Sequence, residues 1–334
     1  MDNSSDIMQG ISLYLKKYNS DFSNFIIFYD YLIATNEEFV ISIINQLSKE
    51  QEKIIINKGV FSIKINEKYL IINQEILEKE YSKFYNIFIS FNSIYNKDPT
   101  IIENDINLIH LFSFFNSILL FTTQNQTLHN IKRKILLQIK HNPKLASNFF
   151  SDNNLIKSEY LLCTIFNNKI RDNCITWHYR YFILSNFHQL LNPNEIDKEN
   201  KDKANLSKIC NILSIPYSNK ISLIKCEIDN LNNINISSKR NYHLWTYLIN
   251  LFNSPFVLKE EQNLIFVFAC YLFSKSFSDY SAFSFIVNFY SKIDLQRSSL
   301  ERLIAYYQQL YQVLNSNNSK SYINNLNSIF FSKK

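Results

Sequence analysis

The residue types that most often carry chemistry are present, but their spacing does not form a known kind of site. The chain has six histidines and five cysteines, and no two cysteines have the C-x-x-C spacing of a metal or redox site. It has only two glycines, which argues against the glycine-dependent phosphate-binding and nucleophile motifs. The sequence therefore predicts no metal site and no catalytic residue within this chain.

The two tryptophans lie in similar surroundings. Trp177 and Trp245 each follow a segment rich in Asn and basic residues, and each opens an apolar, helix-like run. Arg180 lies three residues after Trp177, so the two side chains share one face of a helix. A recurrence of this kind predicts repeated helix pairs.

Four segments align in this way, and a large ring stands near the start of each. The four rings are His129, Trp177, Trp245 and Phe283. Because one helix pair cannot bury its own apolar face, neighbouring pairs must stack. We expect the rings to have a structural role, between stacked pairs.

The apolar periodicity predicts five helix pairs. They cover 104–121 with 126–140, 155–168 with 173–188, 218–232 with 241–252, 259–275 with 279–292, and 295–314 with 321–331, the last as a capping pair. The scarcity of glycine also favours helices joined by loops of Asn and Ser. The predicted fold class is all-α, an α-solenoid of helical hairpin repeats.

The N-terminal part has a different pattern. Residues 1–50 predict helix, the β-branched stretch 53–74 predicts a hairpin or a short three-stranded piece, and 75–95 predict helix again. We therefore divide the chain into a small β-containing cap over residues 1–100 and helical repeats over 101–334. The polar stretch 190–207 is expected to be an insertion or a mobile loop.

The charge and hydropathy patterns exclude several partners. The net charge of +6 is dispersed, and we expect the densest basic group, Lys132-Arg133-Lys134, to be a solvated face and not a nucleic-acid site. No apolar run reaches the roughly 18 residues of a transmembrane segment. Unpatterned cysteines and a polar start without a signal peptide predict a cytoplasmic protein with reduced thiols.

The aligned segments resemble the repeat of protein prenyltransferase alpha subunits, in which Asn-Tyr-x-x-Trp-x-x-Arg marks the second helix of each hairpin. Residues 241–245 match most of this motif, and Asn173, Trp177 and Arg180 match its Asn, Trp and Arg positions. The chain is most similar to the prenyltransferase alpha-subunit-repeat-containing subgroup, the alpha-type subunits of the third geranylgeranyltransferase. It departs from the motif at Cys174, where Tyr is expected, at Leu248 and Ile286, which replace the arginine, and at His129 and Phe283, which replace the tryptophan.

The resemblance implies a crescent of helix pairs that wraps around a beta subunit, shared with Rab-type enzymes. In this family the zinc belongs to the beta subunit, so no cofactor is expected in this chain. The two subunits together would transfer an isoprenoid from its diphosphate to a C-terminal cysteine of a protein substrate. A Lys-Asn-Tyr segment of the better-known relatives reaches the diphosphate, which implies that Arg240 and Tyr242 do so here.

Two alternatives stay open. A farnesyltransferase or Rab geranylgeranyltransferase alpha subunit would carry similar repeats. A tetratricopeptide-like adaptor with no enzymatic role would use a concave groove to bind peptides. In that case Arg240 and Tyr242 would be ordinary solvated residues.

Overall fold

The computed structural model describes residues 30–34, 54–57, 60–63, 69–104, 108–150, 154–169, 173–193, 203–216, 222–233, 241–314 and 320–332, with side chains from Tyr85 onward. The chain divides into two compact units, residues 1–166 and 167–334. The predicted division at residue 100 stays a prediction. Most of the predicted helix over residues 1–50 lies outside the described residues.

Four short strands form one sheet in the first unit. They are β1 (Asp30–Ala34), β2 (Ile54–Asn57), β3 (Val60–Ile63) and β4 (Tyr69–Asn73), in the order β1-β4-β3-β2. Strand β1 is parallel to β4, whereas the other neighbours are antiparallel. The helix predicted over 30–34 is wrong, because these residues form strand β1. A short apolar run fits the spacing of a helix and that of a strand equally well, and here pairing with β4 makes it a strand. That this sheet caps the repeats stays a prediction.

Six helices follow the sheet. They are α1 (Gln74–Lys97), α2 (Ile101–Asn104), α3 (Leu108–Phe121), α4 (Gln126–His141), α5 (Pro143–Phe150) and α6 (Asn154–Lys169), and the division into units falls inside α6. Helix α1 packs against α3, where the ring of Phe115 lies 5.9 Å from that of Phe88 and 5.5 Å from that of Phe91. The Tyr95 hydroxyl donates to Oε1 of Gln138 at 3.0 Å, which ties α1 to α4.

The second unit contains eight helices among its described residues. They are α7 (Cys174–Phe187), α8 (Lys203–Leu213), α9 (Leu223–Asn233), α10 (Tyr242–Phe252), α11 (Lys259–Lys275), α12 (Tyr280–Phe289), α13 (Arg297–Leu314) and α14 (Lys320–Ser332). In the described ranges beyond Asn73, every regular element is a helix, so the all-α prediction is confirmed for that part. The solenoid arrangement stays a prediction.

Helix α11 forms the centre of the second unit. Its residues from Leu264 to Ser274 are all buried, and α8, α9 and α12 pack against it. The buried Tyr307 of α13 donates its hydroxyl to the carbonyl of Cys270 at 3.0 Å. An interior helix without a polar stripe needs neighbours on every side, and the surrounding helices supply them.

The predicted insertion contributes an element to this core. Residues 203–207 are the first part of α8, which packs against α11 and α13 and buries Leu206, Ile209 and Leu213. Arg302 of α13 donates from Nε to the carbonyl of Ile212 at 3.0 Å, close to the end of α8. Part of the polar stretch is therefore an ordered helix.

Candidate functional site

The second helix of each predicted pair begins at a capping residue with an amide or carboxylate side chain. The four capping residues are Asn125, Asn173, Asn241 and Asp279. Each accepts a backbone N–H in the first turn, for example from Thr176 to Oδ1 of Asn173 at 3.3 Å, and so satisfies one unpaired helix donor. Each predicted ring lies four residues after its cap, so the four rings occupy equivalent places.

The two tryptophans contact the second helix of the following pair. The ring of Trp177 lies 5.2 Å from that of Tyr247 on α10. The Trp245 indole donates from Nε1 to Oδ2 of Asp279, the cap of α12, at 3.1 Å. Both side chains are buried, so each lies at a contact between consecutive second helices of this unit.

The other two ring positions differ from each other in burial. His129 is buried, and its Nε2–H donates to the carbonyl of Thr123 at 3.1 Å. Burial, and then the charge of Lys132, lower the pKa of His129 to about 3, so the ring is neutral at pH 7. Phe283 is half-buried, with its ring 5.1 Å from that of Tyr322 on α14.

Arg180 forms a buried ion pair in the second unit. Its Nε and Nη2 each donate to one oxygen of Glu227 on α9 at 2.7 Å, which is a bidentate geometry. The Tyr247 hydroxyl donates to Oε1 of the same carboxylate at 2.5 Å. The side chains of Arg180 and Glu227 are both fully buried, so this network of α7, α9 and α10 has a structural role.

Lys132 forms a second buried ion pair, in the first unit. Its Nζ lies 2.5 Å from Oε2 of Glu159 on α6 and donates to Oδ1 of Asn116 on α3. Asn116 in turn donates from Nδ2 to Oε1 of Glu159 at 2.9 Å. The expected solvated face is therefore wrong for Lys132, because a buried carboxylate compensates its charge. Lys134 is exposed, as expected.

The two ion pairs occupy the same positions of the repeat. Each cation lies seven residues after a cap, and each glutamate lies fourteen residues before the next cap, at Asn173 for Glu159 and at Asn241 for Glu227. The third set of equivalent positions is Leu248, seven residues after the cap Asn241, and Ile265, fourteen residues before the cap Asp279. Both residues are fully buried. Thus an apolar pair of residues replaces the ionic pair where the repeat arginine is missing.

The two residues expected to contact a diphosphate are described unequally. Arg240 lies outside the described residues, so its distance from any other side chain is not part of this structure. Tyr242 is the first residue of α10, directly after the cap Asn241, and is 61% exposed. Its hydroxyl is therefore accessible to a ligand or to a partner protein.

Helices α7, α10 and α12 form a layer with almost no charge. Helix α7 packs against α10, and α10 packs against α12. Arg180 is the one charged residue in these three helices, and it is buried, although 19% of the whole chain is charged. The layer exposes, wholly or in part, Cys174, His178, Tyr181 and Ser185 from α7, Tyr242, Thr246 and Ile249 from α10, and Tyr280, Ser284 and Val287 from α12. We call this surface the uncharged face.

The described cysteines and histidines do not gather into a site. Within the described ranges, no three His, Cys, Asp or Glu side chains lie together as a metal would require. Four cysteine thiols are buried and that of Cys174 is half-buried. Burial raises the pKa of Cys210 and of Cys270 to about 12, so these two thiols are poor nucleophiles.

The sequence alone did not point to the partners of the two buried cations. Glu159, Glu227, Tyr247 and Asn116 are separated from them by 16 to 67 residues. One signal was available: a lone glutamate recurs fourteen residues before two successive capping asparagines. An acidic residue at a fixed repeat position, within a helix that is otherwise largely buried, indicates a buried cation on a neighbouring helix.

Comparisons with known proteins leave the family open. The chain matches no protein-family model, no curated protein and no solved structure. In the described part of the chain, no helix combines the length and the hydropathy needed to cross a membrane.

Proposed function

We propose that this chain is the alpha-type subunit of a heterodimeric protein prenyltransferase, with geranylgeranyl transfer as the reaction of the complex. The assignment to this class comes from the resemblance of residues 173–180 and 241–245 to the family repeat. The observation that carries the role is the uncharged face. Interfaces are depleted in charged residues and enriched in tyrosine at their centres, and this face has both properties.

In this proposal the helix pairs form a right-handed solenoid, and the uncharged face binds the beta subunit. The beta subunit supplies the zinc that activates the thiol of the protein substrate. This chain supplies the scaffold and the segment Arg240-Asn241-Tyr242. A guanidinium beside the leaving diphosphate would stabilise the negative charge that develops there.

Co-purification tests the proposal. The tagged chain is expressed in its native organism, and its partners are identified by mass spectrometry. A stoichiometric prenyltransferase beta subunit supports the proposal. Recovery of unrelated proteins alone, even after mild crosslinking, contradicts it and favours a non-enzymatic adaptor.

Two matched variants locate the interface. Ile249→Glu places a charge at the middle of the uncharged face, whereas Asn211→Glu places the same charge on an exposed position of α8. We expect Ile249→Glu to lose the beta subunit and Asn211→Glu to keep it. Equal recovery from both variants would exclude this face as the binding surface.

Prenyl transfer by the reconstituted pair tests the diphosphate contact. Arg240→Ala is expected to lower the turnover number and to leave the recovery of the beta subunit unchanged, and Arg240→Lys should restore part of the activity. Unchanged kinetics in Arg240→Ala would show that Arg240 does not contact the diphosphate. The assignment of this chain as an alpha-type subunit would not be affected.

A further inference from the structure

The two buried ion pairs differ in chemistry although they occupy the same repeat positions. We call Lys132, Glu159 and Asn116 the first ionic joint, and Arg180, Glu227 and Tyr247 the second. In the first, the third partner comes from α3, which precedes the cation in the chain. In the second, it comes from α10, which follows the glutamate. Each glutamate is therefore satisfied by its own set of donors.

Buried ion pairs contribute little net stability in comparison with well-packed apolar residues. The chain itself shows that an apolar arrangement is compatible with the repeat, because Leu248 and Ile265 fill the same two positions and are fully buried. Stability alone therefore does not account for two such pairs. An unpaired buried charge, in contrast, is strongly destabilising. The free energy lost with a wrong partner is therefore much larger than the net stability gained with the right one.

Proteins made of similar helix pairs have a specific hazard. Their modules can associate in the wrong order, or exchange between two chains. In this chain, the second helices begin with similar Asn or Asp caps and carry large apolar surfaces, so their apolar faces discriminate poorly between neighbours.

We infer that the ionic joints specify which helix pairs associate. Placed against α11 instead of α9, Arg180 would meet Ile265 in place of Glu227 and would lose its bidentate bond to that carboxylate. The same holds for Lys132 placed against a helix without a glutamate in register. The joints thus exclude wrong associations, and this inference holds whether or not the chain binds a prenyltransferase beta subunit.

The first test replaces the second ionic joint by apolar residues like Leu248 and Ile265, the two equivalent positions that we call the apolar joint. The triple variant Arg180→Leu, Glu227→Ile, Tyr247→Phe removes both charges and the leftover hydroxyl. We expect a folded protein with a melting temperature close to that of the wild type, and with several associated forms. The matched control exchanges Leu248→Ile and Ile265→Leu at the apolar joint and should stay uniform.

Two measurements detect the mixture. Light scattering after chromatography reports domain-exchanged dimers, and the indole region of a ¹H–¹⁵N spectrum reports local heterogeneity. The chain has two tryptophans, so one uniform fold gives two indole signals. A folded triple variant with two indole signals and no dimer overturns the inference. A triple variant that does not fold overturns it too, because the ion pair would then serve stability.

The second test adds an ionic joint where none exists. Leu248→Arg with Ile265→Glu gives the apolar joint the same charged pair as the second ionic joint, so each arginine now has two possible glutamates. We expect a several-fold rise in exchanged dimer after refolding. A variant that refolds to the same monomer fraction as the wild type contradicts the inference, whatever the behaviour of the triple variant.

Discussion

The indole N–H of Trp245 donates to Oδ2 of Asp279 at 3.1 Å, while Oδ1 of the same carboxylate accepts the backbone N–H of Ser281 and Ala282. One carboxylate therefore caps α12 and holds α10 beside it. Removal of the Asp279 side chain should therefore weaken both the start of α12 and the packing of α10 beside it.

Substitution at Trp245 should separate the hydrogen bond from the packing. Trp245→Phe keeps a large ring and removes the donor, and we expect a loss of about 1 kcal/mol in unfolding free energy. Asp279→Ala removes the cap as well and should cost about 2 kcal/mol. Urea denaturation measures both. Asp279→Asn, which retains a cap, should fall between them, and equal losses in all three would contradict the double role.

The charge of Lys132 should matter far more than that of its neighbour Lys134. Lys132→Met leaves the buried Glu159 without its cation, and we expect a loss of about 3–5 kcal/mol in unfolding free energy. Lys134→Met removes an exposed charge and should change stability by less than about 0.5 kcal/mol. Chemical denaturation gives both values. Similar small losses would show that Lys132 is solvated, as the sequence first suggested.

His129 should make stability depend on pH in a defined window. Its pKa is about 3 in the folded protein and 6.5 unperturbed, so below about pH 6.5 the unfolded chain binds a proton that the folded chain does not. Stability from His129 is therefore complete above pH 6.5 and falls as the pH falls towards 3, by at most about 1.4 kcal/mol per pH unit. We compare unfolding free energies of the wild type and His129→Gln at several pH values. A constant difference between pH 6.5 and 4 would show that the ring is protonated in the fold.

The five cysteines should differ in reactivity. Cys174 is half-buried, whereas Cys163, Cys210, Cys226 and Cys270 are buried. We expect a maleimide reagent to modify one thiol rapidly in the native protein and all five after denaturation, as counted by intact mass. Cys174→Ser should abolish the rapid reaction. Because Cys174 lies on the uncharged face, binding of the proposed beta subunit should also slow its modification. Rapid modification of a second thiol would contradict the packing.

The helix starts could be predicted from the sequence because their determinants are local. A capping Asn or Asp followed by apolar residues at helical spacing marks the start of α4, α7, α10 and α12 within one residue. In the sequence, each of the four rings lies four residues after its cap. These signals need no knowledge of which helices later come together.

The remaining features depend on tertiary contacts. Lys132 is the first residue of a basic triplet that Ile131 and Ile135 flank, and its partner Glu159 lies on another helix. The triplet by itself does not show that Lys132 is buried. Helix α8 follows a polar stretch, and its apolar residues alone do not show that it packs against α11 and α13. Strand β1 likewise depends on pairing with β4, which lies more than thirty residues away.

The position of α8 in the chain has a consequence for synthesis on the ribosome. Its apolar side chains pack against α11 and α13, and about one hundred residues separate the end of α8 from the end of α13. At about 5–20 residues per second, those side chains stay without their final neighbours for about 5–20 s during translation. The nascent chain therefore presents Leu206, Ile209 and Leu213 to chaperones before its second unit can close around them.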